Sequence, residues 1–491
     1  MVAVSEKKIQ AALEEVGFTE FLPGQKEAIT ACLSGRDVIT ILPTGGGKSL
    51  IYQLAAKLLP HLTVVISPLI ALMSDQVDSL QQRGENVALV NSHKTDSQIN
   101  GELSAVDRGE SKILFITPER LQNDEFRQWL EGQKVSLLVI DEAHCVSEWG
   151  HDFRPSYHAI GAAAREFGSP TTLALTATAT QFVIKDMIGK LQLRDPLMIV
   201  HGVDRPNLFF EVKDVLEERE DCEVLKELLD CNEVTYSKEL KETMKGALLG
   251  SGIIYTATTK AAEETVEWLR EWGIAADFYH GQRNKADRER VQADFMAGKL
   301  QVIAATNAFG MGVDKPDIRF VIHRDIPASL ESYFQEAGRA GRDGEFALCT
   351  LIYRQGDLGR AAFLSASSDE NRKEIERSRI AMMQNYAELR SCRRILILNY
   401  FGQQFDGHEC GFCDNDLTTP TATVIEAPKE AVISPFSEGE IVKHSLWGKG
   451  VVQKVDEATI MVLFEKAGHR TLDTATVAEG KVLQRMKAAK L

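Results

Sequence analysis

Residues 42–49, Leu-Pro-Thr-Gly-Gly-Gly-Lys-Ser, have the residue types that hold the phosphates of a nucleotide. Glycines let backbone N–H groups point at a phosphate, and the helix that follows adds the partial positive charge of its N-terminus. Lys48 is placed to reach the β- and γ-phosphates, and Ser49 to ligate Mg²⁺. The other predicted phosphate contacts are Thr44, Gly45, Gly46 and Gly47. Leu42 replaces the first glycine of the general pattern, so a glycine-rich turn that binds nothing is the alternative.

Two carboxylates follow an apolar segment that we predict to be a strand over residues 135–140. Asp141, at the carboxyl end of that strand, can hold the Mg²⁺ shell, and Glu142 is placed to polarise an attacking water. An isolated Asp-Glu pair is a common solvated strand end. Together with the phosphate loop, the pair predicts an ATPase site.

Two arginines three residues apart, Arg339 and Arg342, lie in the segment 335–344. On a helical turn this spacing presents both guanidinium groups on one face. Offered to an ATP held elsewhere in the chain, they would stabilise charge on the γ-phosphate as arginine fingers do. The alternative is a helix end stabilised by salt bridges.

The elements that must position these groups alternate along the chain. Strands are predicted at 38–42, 64–67, 113–117, 135–140 and 172–175, and again at 252–255, 276–279, 302–305, 320–323 and 348–352. Strands alternating with helical segments predict parallel sheets covered on both faces. Two such blocks predict an α/β fold with two tandem lobes, of which the first holds the phosphate loop.

Composition sets wider limits. The 491 residues predict about three domains. The formal net charge of −15 argues only weakly against a nucleic-acid partner, because a local groove can be basic. No apolar run approaches the length of a membrane span and the N-terminus does not resemble a signal peptide, so we expect a cytoplasmic protein without membrane association. The eight cysteines do not resemble a disulfide framework.

From about residue 18 to residue 414 the chain resembles RecQ-type DNA helicases of superfamily 2. The matching motifs are the phosphate loop 43–49, Ser-Pro-Leu-Ile-Ala-Leu-Met at 67–73 with 75–76, Thr-Pro-Glu-Arg at 117–120, 141–155, Leu-Thr-Ala-Thr-Ala at 175–179, and 309–315. The resemblance implies two RecA-like lobes with ATP and Mg²⁺ between them. It also implies 3′-to-5′ movement on single-stranded and forked DNA, in DNA repair and recombination.

The sharpest match is the aromatic-rich loop that continues from Asp141-Glu142 to residue 155. In RecQ proteins this loop couples single-stranded DNA to ATP hydrolysis. Aromatic faces stack on bases, and cationic groups stack or contact phosphates. The predicted DNA-coupling residues are Trp149, His151, Phe153 and Arg154.

The family also places an aromatic residue, an arginine and a glutamine before the phosphate loop to hold adenine. Here Phe18 and Gln25 match, but Leu22 stands at the arginine position. An amide can pair with both donor and acceptor edges of adenine. We therefore expect Gln25 to keep the preference for adenine, with Phe18 stacking on the ring.

The RecQ zinc spacing recurs with one change, because an aspartate stands where the family has its fourth cysteine. The predicted ligands of a structural Zn²⁺ are Cys392, Cys410, Cys413 and Asp416. Zinc accepts carboxylate oxygen, so this set can form a tetrahedron. His408 is a rival fourth ligand, and a degenerate site with buried thiols is a third alternative.

Residues 417–438 have the composition of a linker, and residues 439–491 contain short alternating runs separated by glycine turns. This pattern predicts a small barrel, similar to the Tudor-like C-terminal domain of UvrD-type helicases. That resemblance implies a protein partner, RNA polymerase or a repair factor, with His444, Trp447 and Lys449 as surface anchors. The basic stretch 481–490 supports nucleic-acid binding as the alternative. We expect neither the winged helix nor the terminal helical domain of typical relatives in this chain.

The predicted domains are lobe 1 at 1–205, lobe 2 at 206–360, a helical zinc-binding subdomain at 361–416, the linker, and the barrel at 439–491. The predicted function is that of an ATP-dependent 3′-to-5′ DNA helicase. The alternatives are a translocase that unwinds poorly and an ATP-gated adaptor that recruits a repair or transcription partner. The stretch 217–250 is predicted to be a helical surface insert, with no assigned role.

Overall fold

The computed structural model describes residues 5–43, 45–148, 152–215, 221–230, 237–307, 309, 315–354, 370–403, 405–418, 436, 441–444, 447–455, 459–464, 468–473, 477 and 483–485. Within these ranges the chain forms two parallel α/β lobes, a small helical subdomain and an antiparallel sheet. None of the described helices combines the length and the apolar character needed to cross a membrane.

The first lobe is a parallel sheet with strand order β3-β4-β2-β5-β6-β1-β7 in its described part. Its strands are β1 (Val38–Ile41), β2 (Leu62–Ile66), β3 (Val87–Val90), β4 (Ile113–Ile116), β5 (Val135–Ile140), β6 (Thr171–Thr176) and β7 (Leu197–Val200). Its helices are α1 (Glu6–Glu15), α2 (Gln25–Leu33), α3 (Lys48–Leu58), α4 (Ile70–Gln82), α5 (Asp96–Asp107), α6 (Asp124–Glu131), α7 (Ile160–Glu166) and α8 (Gln181–Lys190). Short 3-10 turns span Pro118–Gln122, Ala143–Val146 and Pro155–Ala159.

This sheet is buried on both faces because successive side chains of each strand point to opposite sides. Val64 and Ile66 of β2 lie in one core, and Val65 lies in the other. Apolar runs of this kind are typical of parallel strands covered by crossover helices. The carboxyl ends of β1, β2, β5 and β6 therefore meet at one edge, where the loops that begin at residues 42, 67, 141 and 177 converge.

The second lobe is a second parallel sheet, with strand order β10-β11-β9-β12-β13-β8 in its described part. Its strands are β8 (Leu208–Asp214), β9 (Ser251–Tyr255), β10 (Ala276–Tyr279), β11 (Val302–Ala305), β12 (Ile318–His323) and β13 (Ala347–Tyr353). Its helices are α9 (Asp221–Asp230), α10 (Lys238–Leu248), α11 (Thr259–Glu271), α12 (Lys285–Met296) and α13 (Leu330–Ala337).

Helices α9 and α10 correct the prediction of a surface insert at 217–250. They are helical as expected, but Leu225 and Met244 are buried in the same core as Phe209 and Ile254 of the sheet. Both helices thus form part of the layer that covers one sheet face. The charged residues at 217–221 favour a solvent-exposed segment, and the apolar helix face that follows them was not recognised as part of the core.

The helical subdomain contains α14 (Glu370–Glu388), α15 (Arg393–Tyr400) and α16 (Asp414–Thr418). It is anchored on the second lobe, because Asp414 accepts hydrogen bonds from the Val212 amide at 2.8 Å and from the buried Arg393 guanidinium at 2.5 Å. Arg394 also donates to both carboxylate oxygens of Asp204, at 2.6 and 2.7 Å. Asp204 lies between the two lobes, so the subdomain is tied to the interlobe connection as well.

The C-terminal sheet is antiparallel, with strand order β17-β16-β15-β14-β18. Its strands are β14 (Ile441–His444), β15 (Gly448–Val455), β16 (Thr459–Phe464), β17 (Gly468–Asp473) and β18 (Leu483–Arg485). Strands β17 and β18 stand at the edges of this order, so closure into a barrel stays a prediction. Strand β17 lies against α14.

The side chains proposed as surface anchors on this sheet need correction. His444 is only 6 % exposed, and Trp447 is half-buried, with its ring stacked on His444 at a centroid distance of 3.9 Å. Trp447 also contacts Phe464 of the small core. Lys449 alone of the three is exposed. The glycine that follows Trp447 turns the chain, so that the indole packs inward.

Candidate active site

The phosphate loop lies between β1 and α3. Gly45 and Gly47 have φ of +83° and +66°, a region in which side chains are strained. A Cβ on Gly47 would also lie 2.3 Å from Nε2 of Gln25, so glycine is required there. Lys48 donates from Nζ to the carbonyls of Leu42 at 3.0 Å and Pro43 at 3.2 Å. Thr44 lies outside the described residues.

The Lys48 ammonium is buried among charges of both signs. Burial lowers its pKa, and Arg342 lowers it further, whereas Glu142 and Asp141 raise it. Ser49, the next residue, accepts a hydrogen bond from Nε2 of Gln76 at 3.0 Å. Gln76 belongs to the motif that starts at residue 67, so this bond joins two of the motifs that the sequence analysis identified.

Asp141 directly follows β5 at the edge of the sheet, where it is 9 % exposed. Its carboxylate accepts hydrogen bonds from Oγ of Ser67 at 3.2 Å and from the amide of Glu142 at 3.0 Å. Burial and the neighbouring Glu142 carboxylate raise the pKa of Asp141 to about 7, although Lys48 opposes the rise. A carboxylate and a hydroxyl, Asp141 and Ser49, are oxygen donors that suit Mg²⁺.

Glu142 has a left-handed backbone with φ of +47°, which turns its side chain out of the strand direction. Its Oε2 lies 3.3 Å from Nδ1 of His144. Burial raises the pKa of Glu142, while Lys48 and Arg339 lower it. The carboxylate therefore lies among cations from both lobes.

His144 links this carboxylate to the segment after β6. Its Nδ1 lies 2.8 Å from Oγ1 of Thr176, which donates its own proton to the carbonyl of Thr178. Because that hydroxyl proton is already used, Nδ1 of His144 carries the hydrogen. Burial lowers the pKa of His144 to about 4, so the ring is neutral at pH 7.

The two arginines lie in the turn that follows α13 in the second lobe. Ser329 caps the start of α13, where its hydroxyl accepts from the Ser332 amide at 3.1 Å, and the helix ends at Ala337. Arg339 is 5 % exposed and lies close enough to Glu142 to lower its pKa. Cδ of Arg342 lies 3.5 Å from the point that a Cβ on Gly45 would occupy. The structure thus brings both arginines to the phosphate loop and carboxylates of the first lobe.

The residues predicted to hold adenine are placed differently from one another. The Gln25 side chain is buried: its Oε1 accepts from the Leu22 amide at 2.9 Å, and its Nε2 donates to the carbonyls of Gly46 and Gly47 at 3.3 and 3.2 Å. Both ends of the amide therefore hold backbone of the nucleotide site. Phe18 and Leu22 are exposed, at 47 % and 50 %.

The aromatic-rich loop is described in part, because Trp149 and His151 lie outside the described residues. The ring of Phe153 lies 5.2 Å from that of His158. Arg154 donates to Oδ2 of Asp152 at 3.2 and 3.3 Å, and to the carbonyl of Pro68 at 3.3 Å. The guanidinium expected to meet DNA thus joins the loop to the segment after β2.

Two further contacts hold this loop. The hydroxyl of Tyr157 donates to the carbonyl of Asp141 at 2.9 Å. From the helical subdomain, Arg379 donates to the carbonyl of Glu148 at 3.1 Å. The loop is therefore attached to the carboxylate motif and to an element that is anchored on the second lobe.

The predicted zinc ligands lie together. The ligand atoms of Cys392, Cys410, Cys413 and Asp416 are all within 4.8 Å of one another. Hydrogen bonds, first from Cys410 and then from Cys413, lower the pKa of Cys392 to about 4, which favours the thiolate that binds metal. Oδ2 of Asp416 accepts from the Cys410 and Gly411 amides at 2.7 and 2.9 Å.

His408, the rival fourth ligand, is exposed and does not belong to this group of four. The sequence analysis assigned no role to Gln76, His144 or Tyr157. Gln76 and His144 lie within motifs that the sequence analysis recognised, so their positions in those motifs could have identified them as functional residues. Nothing local marks Tyr157, whose bond to Asp141 spans 16 residues.

Three family descriptions match the chain. The DEAD/DEAH box helicase family matches residues 22–187, the helicase conserved C-terminal domain matches 236–344, and the RecQ zinc-binding family matches 355–417. The ATP-dependent DNA helicase RecQ of Bacillus subtilis is 39 % identical over 421 residues, which are 85 % of this chain and 68 % of that protein. The RecQ helicase of Haemophilus influenzae is 38 % identical over 82 % of this chain and 62 % of its own length.

The mouse ATP-dependent DNA helicase Q1 is 35 % identical over 83 % of this chain and 62 % of that protein. The chain thus spans about three-fifths to two-thirds of the length of these relatives. Among solved structures, the DUF1998 helicase MrfA bound to DNA superposes with a TM-score of 0.57, at 18 % identity over 72 % of this chain and 52 % of that one. Yeast Dbp5 bound to RNA and ADP BeF3 gives 0.53, at 17 % identity over 78 % of this chain and 97 % of that one. These two likenesses establish the fold of the two lobes.

Proposed function

The chain belongs to the RecQ family of superfamily 2 helicases, and from that premise we propose that it is an ATP-dependent DNA helicase. It hydrolyses ATP, moves 3′ to 5′ on single-stranded DNA and separates duplexes, including forked ones, in DNA repair and recombination. The observation that carries the proposal is the position of Arg342 of the second lobe beside the phosphate loop, where its Cδ lies 3.5 Å from the point that a Cβ on Gly45 would occupy. This position supports a hydrolytic set assembled from both lobes.

Each group in the cleft has a role that its surroundings support. Lys48 and the loop amides hold the β- and γ-phosphates, and Ser49 and Asp141 would hold Mg²⁺. That ion neutralises phosphate charge when bound. Glu142 orients the attacking water, and the neighbouring His144 ring is neutral, so it adds no charge to the site. Arg339 and Arg342 stabilise the charge that develops on the γ-phosphate.

Gln25 takes a modified role in this proposal. Because its amide binds the backbone of Gly46 and Gly47, it couples the base-binding end of the site to the shape of the phosphate loop. Phe18 and Leu22 offer exposed apolar faces to the adenine ring. Leucine cannot form the cation–π contact of an arginine, so base stacking contributes less here than in relatives with the arginine.

Single-stranded DNA acts on hydrolysis through the aromatic-rich loop. Trp149 and Phe153 stack on bases and His151 contacts the backbone, whereas Arg154 transmits the position of the loop to the segment after β2. A change in the loop reaches Asp141 through Tyr157. Closing on ATP and opening after hydrolysis then moves the lobes along one strand.

The helical subdomain would bind one structural zinc through Cys392, Cys410, Cys413 and Asp416. Three sulfurs and one carboxylate oxygen, gathered within 4.8 Å, fit the tetrahedral coordination of zinc. The ion stabilises the folded subdomain when bound. We propose domain limits at 205/206, 360/361 and 416/417, with a linker to residue 438, although α16 extends to Thr418. The C-terminal sheet is a small barrel with a protein partner, RNA polymerase or a repair factor.

DNA-stimulated ATPase activity tests the proposal. Glu142→Gln should lower the stimulated turnover about 100-fold or more, because the amide cannot orient and polarise water as the carboxylate does. The same variant should still bind a fluorescent ATP analogue, since Asp141 and Lys48 remain. Glu166→Gln is the matched control, because it makes the same change at an exposed position of lobe 1. Equal turnover in Glu142→Gln and in the control would refute the site assignment.

A further inference from the structure

The segment that joins the two lobes holds the loop that carries the arginine pair. Arg205 donates from Nη1 to the carbonyl of Gly338 at 3.1 Å, and from Nη2 to the carbonyls of Ala340 and Gly341, both at 2.8 Å. These carbonyls belong to the turn that follows α13, outside the helix. A planar guanidinium can satisfy several of them at once.

Asn207 adds a second attachment to the same loop. Its Nδ2 donates to the carbonyls of Gly341 and Glu345, both at 2.8 Å. Gly341 has φ of +55°, and a Cβ there would lie 2.4 Å from Nδ2 of Asn207. The loop therefore packs against the connection with no room for a side chain. Arg339 directly follows Gly338, and Arg342 directly follows Gly341, so each arginine adjoins a carbonyl that Arg205 holds.

The other end of the same connection touches the phosphate loop. The amide of His201 donates to the carbonyl of Ile41, the last residue of β1, at 3.0 Å. Gly202 has φ of +75°, and a Cβ on it would lie 2.7 Å from Cδ of Pro43. Residues 201–207 thus contact the phosphate loop at one end and the arginine loop at the other.

We propose that Arg205 is a positioning residue for hydrolysis. Through its bonds to the backbone of their loop, it holds Arg339 and Arg342 where they can contact the γ-phosphate. The inference rests on the proposed ATPase function and extends it. Arg205 touches neither nucleotide nor water in this account. Its effect on turnover passes through the arginine pair, and a small displacement of such groups costs about 10- to 100-fold in rate.

A purely structural brace predicts a different pattern of effects. Loss of a brace lowers the fraction of folded protein, and so lowers turnover by the same factor in any background. Loss of a positioning residue likewise leaves the KM for ATP unchanged, because the phosphate loop and Lys48 still bind the nucleotide. Its effect on kcat, however, becomes smaller once one of the arginines that it positions has been removed.

The experiment is a double-mutant cycle on DNA-stimulated ATPase, with Arg205→Gln, Arg342→Ala and both together. Arg205→Gln alone should lower kcat about 10-fold or more, with the KM for ATP within about twofold of the parent. In the Arg342→Ala background the same change should lower kcat by a smaller factor than in the parent, because only Arg339 is left to be positioned. Arg205→Lys keeps one cationic donor group and should recover part of kcat. Asn207→Ala supplies a milder second variant that should lower kcat in the same manner.

Arg324→Gln is the control for loss of a buried arginine in the same lobe. Arg324 donates to the Ala261 carbonyl at 2.9 Å and to Oγ1 of Thr265 at 2.8 Å, away from the arginine loop. Its effect should combine additively with Arg342→Ala. Full additivity for Arg205→Gln, or a kcat equal to that of the parent in both Arg205→Gln and Asn207→Ala, overturns the inference. Absence of DNA-stimulated ATPase in the parent protein would instead overturn the proposed function itself.

Discussion

Asp141 lowers the stability of the nucleotide-free protein at neutral pH, and Asp141→Asn should reveal this. Burial first, and the Glu142 carboxylate second, raise the pKa of Asp141 from 3.8 to about 7. The folded state therefore keeps a proton that the unfolded chain has lost. Its stability falls as pH rises from about 4 to about 7 and is then constant.

The size of this stability change follows from the pH interval between the pKa values of Asp141 in the unfolded and folded states. Each pH unit between the two pKa values corresponds to about 1.4 kcal/mol. Between pH 5 and pH 8 the cost of ionising Asp141 grows by about 3 kcal/mol. Asparagine does not titrate, and its loss of one hydrogen bond costs about 1 kcal/mol at every pH. Because that cost is constant, the stability of the variant relative to the parent should rise by about 3 kcal/mol between pH 5 and pH 8.

Urea unfolding of the nucleotide-free proteins, followed by tryptophan fluorescence at several pH values from 5 to 8, measures this difference. Asp277→Asn is the matched control. Burial raises the pKa of Asp277, but hydrogen bonds from Arg283 and Arg290 outweigh it and lower the net value. That variant should lose stability by the same amount across this range, since its window lies below pH 4. If the stability difference between Asp141→Asn and the parent does not change with pH, our account of the buried carboxylate is wrong.

Three further predictions concern the elements around the cleft. Arg154→Ala should leave basal ATPase intact but weaken its stimulation by single-stranded DNA about 10-fold, because the loop loses its bonds to Asp152 and Pro68; unchanged stimulation in a DNA titration would show the loop to be structural. Elemental analysis should find about one zinc per chain, lost in Cys410→Ser and harder for chelators to extract in Asp416→Cys; protein purified without chelators and lacking zinc would favour a degenerate site. Truncation after residue 416 should keep ATPase activity, although it exposes the face of α14 that β17 covers. If RNA polymerase is pulled down equally by the full-length and the truncated protein, the proposed role of the sheet is contradicted.

The sequence predicted best where chemistry and local structure coincide. The Lys48 loop and the Asp141 pair follow buried strands, so strand periodicity and residue type were enough to place them at one edge of a parallel sheet. The four residues predicted to bind zinc were likewise identified by spacing. Local patterns of this kind report residue type and spacing, which were enough to identify these groups, although contacts as distant as that of Ser67 with Asp141 hold them in place.

Contacts across long stretches of chain were beyond such patterns. Arg205 reaches carbonyls more than 130 residues away, and the Gln25 amide turns to the phosphate loop rather than outward. His444 was wrongly predicted at the surface, since alternation along a short strand does not say which face is covered. The helices at 221–248 were predicted to be a surface insert for the same reason. Amphipathic periodicity shows that a helix has an apolar face, but it does not show which sheet that face packs against.

Strand displacement tests the central claim most directly. The parent protein and Lys48→Ala are compared on a duplex with a 3′ single-stranded tail, a duplex with a 5′ tail and a blunt duplex, with and without ATP. The account predicts ATP-dependent separation of the 3′-tailed duplex by the parent, little separation of the other two, and none by Lys48→Ala, which loses its contact with the β- and γ-phosphates. Separation by Lys48→Ala at the parental rate, or a parent that hydrolyses ATP without separating the 3′-tailed duplex, would contradict it.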